Sequence, residues 1–199
     1  MRRLVPVALA GILTIAAAPI HSEQADRPLV EAMRNIYRLT SYSAFDWISA
    51  RYLKGTITLQ GFARTTRLKQ QAEEAARKAA GIDEVVNEIE LLPTGQGDDN
   101  IRVRAYAAIY GAAGLEQYAP GGQLTSAAQD ELANSGRFGL DGADIGRGPH
   151  AIHIIVSAAR VLLIGDVKTR GDRQMAEGSV RTLPGVLGVQ NQLRVPERK

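Results

Sequence analysis

The sequence predicts an α+β fold built from two tandem modules, each running α-β-β-α-β with a three-stranded mixed sheet and two helices on one face. Two observations lead there. Residues 57–92 recur without a gap at 161–196, a shift of 104 positions that leaves ten identities: Leu59/Leu163, Gly61/Gly165, Thr65/Thr169, Gln70/Gln174, Ala72/Ala176, Glu73/Glu177, Arg77/Arg181, Gly81/Gly185, Val85/Val189 and Asn87/Asn191. A self-match at fixed spacing marks an internal repeat, and two copies are too few for a stacked solenoid. Within each copy the apolar spacing changes from period two to period 3.6 and back, which reads as strand, helix, strand.

The elements follow in order. Residues 1–22 carry Arg2 and Arg3, an apolar run from Leu4 to Ala18, then small residues, the order of a secretory signal. Cleavage is expected after Ser22, because cleavage after Ala18 would leave Pro19 at the new N-terminus. The first domain is expected over 27–93. Leu29, Val30, Met33, Ile36 and Tyr37 lie at helical spacing behind Pro28, which suits a first helical turn. Residues 45–52 form the first strand and Gly55 the hairpin turn. Tyr37, Tyr42, Phe45, Trp47 and Tyr52 are half of the ten aromatic residues. They read in two ways: Phe45 and Trp47 facing the helices from the strand, or an aromatic anchor for a lipid interface assisted by Arg38, Arg51 and Lys54.

In the repeat itself, Ile57 and Leu59 alternate with polar neighbours, as do Val161 and Leu163. Leu68, Ala72, Ala75, Ala76 and Ala79 then form one helical stripe, small enough to pack closely on a sheet. Thr65 and Thr169 are N-caps, with Asp172 favourable in the next turn. Gly81 and Gly185 stand where a helix end needs a left-handed residue, and Pro184 forbids continuation. Val85, Ile89 and Leu91, matched by Val189, Leu193 and Val195, close each unit as a strand. Residues 93–100 read as a linker, and the second domain is expected over 98–196. Its helix carries Ile101, Val103, Ala105, Ala108 and Ile109, and its first strand is 151–156. Between them, a Gly-rich insertion over 111–149, with a short helix across 125–133, is absent from the first copy. The second core is expected not to need it, nor Leu124, Leu132, Phe138 or Leu140 within it, and the modules are expected to melt independently.

The strand ending in Gly61 or Gly165, the helix with Ala72-Glu73 or Ala176-Glu177, the Gly-Ile or Gly-Val step at 81 and 185, and Val-x-Asn at 85–87 and 189–191 resemble the BON domain, named from bacterial osmotic-shock and nodulation proteins. The resemblance covers both repeats. It implies a small module of periplasmic or envelope-associated proteins, without catalytic residues, that binds phospholipid surfaces or other envelope components.

Composition narrows the function. At 199 residues, with 45% apolar and 23% charged, the chain can bury one or two small cores. Without Arg2 and Arg3, 22 basic side chains balance 21 acidic ones to a net +1, which argues against nucleic-acid binding and against purely electrostatic membrane binding. There is no cysteine, hence no disulfide, thiol nucleophile or lipidated cysteine. Asp141 and Asp144 beside Gly142 lack the remaining ligands of an EF-hand. His150 and His153, three apart on a strand, would point to opposite faces and make poor co-ligands, with His153 a half-buried strand residue. No phosphate loop, dinucleotide fingerprint or nucleophile elbow occurs. Asn87 and Asn191 fall on the buried strand face and are read as structural locks, bonded to the turn after Gly61 or Gly165.

The expectation is therefore a non-enzyme without catalytic, cofactor or metal residues, exported to the periplasm. It binds a phospholipid surface or a membrane-associated assembly, with a role in envelope or osmotic stress protection. The alternatives are a protein-interaction or structural module and an envelope polymer or ion sensor. No small-molecule substrate is expected.

Overall fold

The computed structural model describes residues 23–119 and 150–196. The first module contains α1 (Glu23–Tyr37), β1 (Trp47–Leu53), β2 (Thr56–Ala63), α2 (Thr66–Arg77) and β3 (Glu84–Leu91). The second contains α3 (Gln96–Tyr110), a 3-10 turn at Glu116–Tyr118, β4 (Ile152–Ser157), β5 (Arg160–Asp166), α4 (Arg170–Arg181) and β6 (Gly188–Arg194). Residues 1–22, the helix expected over 125–133, Asp141, Asp144 and the four apolar residues named in the insertion lie outside the described residues.

Both sheets have the expected topology. β1 runs antiparallel to β2 and β2 parallel to β3, and β4, β5 and β6 repeat the arrangement. The 104-residue shift survives in the pairing: Ile48 faces Gly61 and Ile152 faces Gly165, while Leu59 faces Asn87 and Leu163 faces Asn191. α1 and α2 cover one face of the first sheet, and α3 and α4 one face of the second. The α2 stripe from Leu68 to Ala79 is buried, as its spacing predicts. Thr65 accepts from the Leu68 amide at 3.1 Å, and Thr169 and Asp172 close a reciprocal capping box.

The repeated glycines are demanded by backbone geometry. Gly81 and Gly185 hold φ of 83° and 88°, as expected of left-handed residues, but three residues past the C-caps Lys78 and Thr182, in the turn that follows each helix rather than at its first residue beyond the end. Gly61 and Gly165, inside strands, hold 124° and 138°, and a Cβ at either would stand 2.0 Å from the carbonyl oxygen of Trp47, the first residue of β1, or of Ala151, just before β4.

Several expectations are corrected. α1 begins at Glu23, so Pro28 lies inside the helix rather than in its first turn, giving up one backbone hydrogen bond. The linker shrinks to 93–95, because α3 starts at Gln96 with Asp98 and Asp99 in its first turn, where the helix dipole favours carboxylates. Leu91 is 48% exposed. Trp47 does not face the helices: Ile48 is the buried neighbour, so Trp47 is half-buried on the helix-free face opposite Phe62. Phe45 precedes the strand and belongs to the second core. Leu115, Tyr118 and Ala119, assigned to a dispensable insertion, are also buried in that core, and the Tyr118 hydroxyl donates to Asp172 at 2.6 Å.

Candidate functional site

The repeat identities converge on one polar cluster per module. Asn87 Nδ2 donates to the Lys69 carbonyl at 2.9 Å and to Glu73 Oε2 at 3.0 Å, while its Oδ1 accepts from the Ile89 amide at 3.2 Å. Asn191 makes the same three bonds to Arg173, Glu177 and Leu193 at 2.9, 3.1 and 3.1 Å. Each glutamate also pairs with the arginine one turn on, Arg77 or Arg181. The bond from Asn87, followed by that from Arg77, holds the Glu73 carboxyl below the usual carboxylate range. The asparagines are therefore locks, but their partners are the helix carbonyl and glutamate rather than the turn after the strand glycine. That explains why Glu73, Arg77 and Asn87 recur as a set. Asn191→Ala strips the Arg173 carbonyl and Glu177 of a donor, and is expected to cost about 1–3 kcal/mol in urea unfolding.

The modules join through a dense contact. The Ile154 amide donates to the Ala44 carbonyl at 2.7 Å, so the chain before β1 covers part of the outer edge of β4. Phe45 meets Tyr106 of α3 edge-on at 5.9 Å, with the Arg64 guanidinium 5.5 Å from its ring centre. Arg102, 2% exposed, donates to the Val156 carbonyl at 2.6 Å, to Asp99 at 2.7 Å and to the Pro93 carbonyl at 3.4 Å. Arg64 reaches Asp99 from the first module at 3.7 Å. Asp98 bonds the amides of Ala158 and Ala159 at 3.0 and 2.8 Å, steadying a hairpin turn in which both alanines have positive φ.

Two histidines sit at this junction. His150 precedes β4 rather than lying on it, so its ring meets that of His153 edge-on at 5.8 Å, and the expectation of opposite faces fails. His153 is 3% exposed rather than half-buried and packs on Tyr42 of the first module at 5.7 Å. Burial, reinforced for His150 by its neighbour, pushes the imidazoles down to about 3 for His150 and about 4 for His153. Nearby Asp46 accepts from Ser43 and from the Arg64 amide, and burial nonetheless raises its carboxyl. Among the described residues, no group of three or more His, Asp or Glu is placed to hold a metal ion.

Beside the junction lies a cleft of about 470 Å³. One wall is the end of β2 and β3, with Phe62, Glu90, Leu91, Leu92 and Pro93. The other is the helix-free face of the second sheet, with Ile155, Leu162, Arg160 and Gln190. Each module also exposes a leucine beside its hairpin tip, in the second module at the rim of this cleft. Leu53 is 64% exposed next to Arg51 and Lys54, and Leu187, whose amide bonds the Ala159 carbonyl, is 73% exposed. No helix among the described residues is long and apolar enough to cross a membrane.

Sequence reasoning missed Arg102, Asp98 and the roles of Phe45 and the cleft. An arginine inside an apolar helical stripe, one residue after Ile101, was the only available signal for the first.

Comparison with known proteins identifies the family of the chain. The BON domain family model matches residues 45–93 and 122–197. No curated protein matches the chain. Among solved structures, two of CdsD, described as the structural protein of the Type III secretion system of Chlamydia trachomatis, are similar. One, its C-terminal domain, has 11% identity over 84% of this chain and 96% of that chain, with a TM-score of 0.26. The other has 12% identity over 84% and 92%, with a TM-score of 0.26. With its matched regions spanning most of the chain and lying one in each module, the protein belongs to the BON domain family.

Proposed function

We propose that the protein is an exported, non-catalytic binder of phospholipid surfaces in the periplasm, serving envelope or osmotic stress protection. The observation that carries this reading is the pair of exposed leucines, Leu53 and Leu187, one beside each hairpin tip and flanked by Arg51, Lys54 and Arg160. Apolar side chains edged by cations suit the boundary between acyl chains and head groups. Export rests on the signal-like segment 1–22, with cleavage after Ser22.

The test puts the reporter at the tip, because Trp47, the sole tryptophan, opens β1 while Leu53 closes it, roughly 20 Å away at strand spacing. In a chain carrying Trp47→Phe and Leu53→Trp, phospholipid vesicles are expected to shift the emission to the blue, while moderate salt weakens the shift only in part. An unchanged spectrum of that chain at saturating vesicle concentration would reject the reading.

A second reading has its own observation. Among the described residues, β3 and β6 each pair on one side only, which leaves an edge to which a partner protein can add a strand. It predicts that Leu53→Asp with Leu187→Asp leaves function intact.

A further inference from the structure

The intermodule cleft differs from the corresponding surface of the first module in a directed way. At the 104-residue shift, Ile155 and Leu162 replace Arg51 and Thr58, so the floor, where these two residues face each other across β4 and β5, has become apolar. Around it three side chains have become small, while Thr56 and Val86 have become Arg160 and Gln190. Ser157, Ala158 and Gly188 line the cleft where the first module carries Leu53, Lys54 and Glu84. The fold does not require that loss. Gly188 has an ordinary backbone conformation, and a Cβ there would meet only the Arg160 guanidinium at 3.5 Å. Ala158 even occupies a left-handed conformation, at φ 48°, that Lys54 shares at 49°. Module packing does not require it either, since 470 Å³ stays open between the walls.

We infer that this cleft is a binding site for a single-chain amphiphile with an anionic head group, held between the two modules. Phe62, Leu91, Leu92, Ile155 and Leu162 supply apolar walls for the chain. The volume lies at the lower end of the roughly 300–1,000 Å³ of small-molecule sites, which suits one tail rather than the two of a diacyl lipid. Arg160, whose guanidinium lies over Gly188, supplies the cation for the head group. Glu90 on the facing wall repels an anion and directs the head to the Arg160 end. The site goes beyond surface binding: it needs neither Leu53 nor a bilayer.

The experiment titrates the full chain with dansyl-undecanoate below its micellar concentration, with unlabelled dodecanoate as competitor. Vesicle co-sedimentation is run on the same samples. The expected result is saturable binding of one probe per chain, displaced by dodecanoate. Gly188→Phe, which fills the cleft from an unstrained position, is expected to weaken it by about tenfold or more. Glu84→Phe, the equivalent change in the first module, should leave it unaltered. Leu91→Gln, at an exposed wall position, serves as a second blocking variant should Gly188→Phe fold poorly. Arg160→Gln is expected to weaken dodecanoate several-fold and dodecanol little. Absence of saturable binding by the unaltered chain would overturn the inference, as would unchanged affinity in both Gly188→Phe and Leu91→Gln. Vesicle binding is expected to survive Gly188→Phe. Parallel loss of probe and vesicle binding would overturn the separate site, placing the probe on the bilayer-facing surface instead.

Discussion

Gly165→Ala is expected to destabilise the protein by at least about 3 kcal/mol, far more than Gly185→Ala, although both glycines recur in the repeat and both have positive φ. At Gly165 the added Cβ would stand 2.0 Å from the Ala151 carbonyl oxygen, inside a paired strand that cannot move without breaking the ladder between β4 and β5. At Gly185 the nearest atom is Ile101 Cδ1 at 3.9 Å, so only the left-handed backbone costs, about 1–2 kcal/mol. Because Ala44 and Phe45 of the first module lie in the second core, the loss should appear as one cooperative transition rather than as selective melting of one module. Urea unfolding followed by circular dichroism decides this. Equal effects at the two glycines would show that the strand contact is not as tight as described.

Lowering the pH from 7 to 5 is expected to remove about 4 kcal/mol of stability, about 2 from each of His150 and His153. The sign follows from proton binding. In the unfolded chain both imidazoles titrate near 6.5, whereas in the folded chain they remain neutral down to about 3 and about 4. Between those values the unfolded state binds more protons. Stability is therefore complete above about pH 6.5 and falls steadily below it, by about 1.4 kcal/mol per pH unit for each histidine. Asp46, which faces His153 with the Tyr42 ring and Ser43, acts in the opposite sense, because its raised carboxyl takes up a proton more readily when folded. It therefore offsets part of the histidine loss as the pH falls, while Glu73, held low by Asn87 and Arg77, adds a further loss at the acid end. Denaturant unfolding at pH 7 and 5 reads the difference. A stability independent of pH over that interval would mean that the histidines are solvated.

What could be read from the sequence is whatever one module encodes within itself. The α2 stripe, the Thr65 and Thr169 caps and the glycines at 81 and 185 are local or periodic signals, and the structure contains them all. The locks at Asn87 and Asn191 were legible from strand parity as amides needing partners, although both are half-buried rather than buried. Their partners were not, because parity says nothing about which helix turn lies overhead. The junction between modules was the least legible part. Phe45 reads as a member of its own module, yet it packs on Tyr106, and nothing in the spacing of His150 and His153 shows that the chain bends before β4 to bring the rings together. Such contacts depend on how two copies dock, a property that neither copy carries alone. The cleft was hidden for the same reason. Its signal was present in the repeat, in the replacement of Arg51, Thr58 and Glu84 by Ile155, Leu162 and Gly188, but differences between copies gain meaning only once the shared positions have been placed in space.

The central claim, that this BON domain protein binds phospholipid surfaces through apolar residues beside its hairpin tips, is tested most directly by co-sedimentation with vesicles of phosphatidylethanolamine and phosphatidylglycerol. The chain without residues 1–22 is expected to pellet with the vesicles and to persist there in moderate salt, while Leu53→Asp with Leu187→Asp, folded by circular dichroism, stays in solution. A folded chain that remains in the supernatant with every vesicle composition, or a doubly substituted chain that pellets as well as the original, would contradict it.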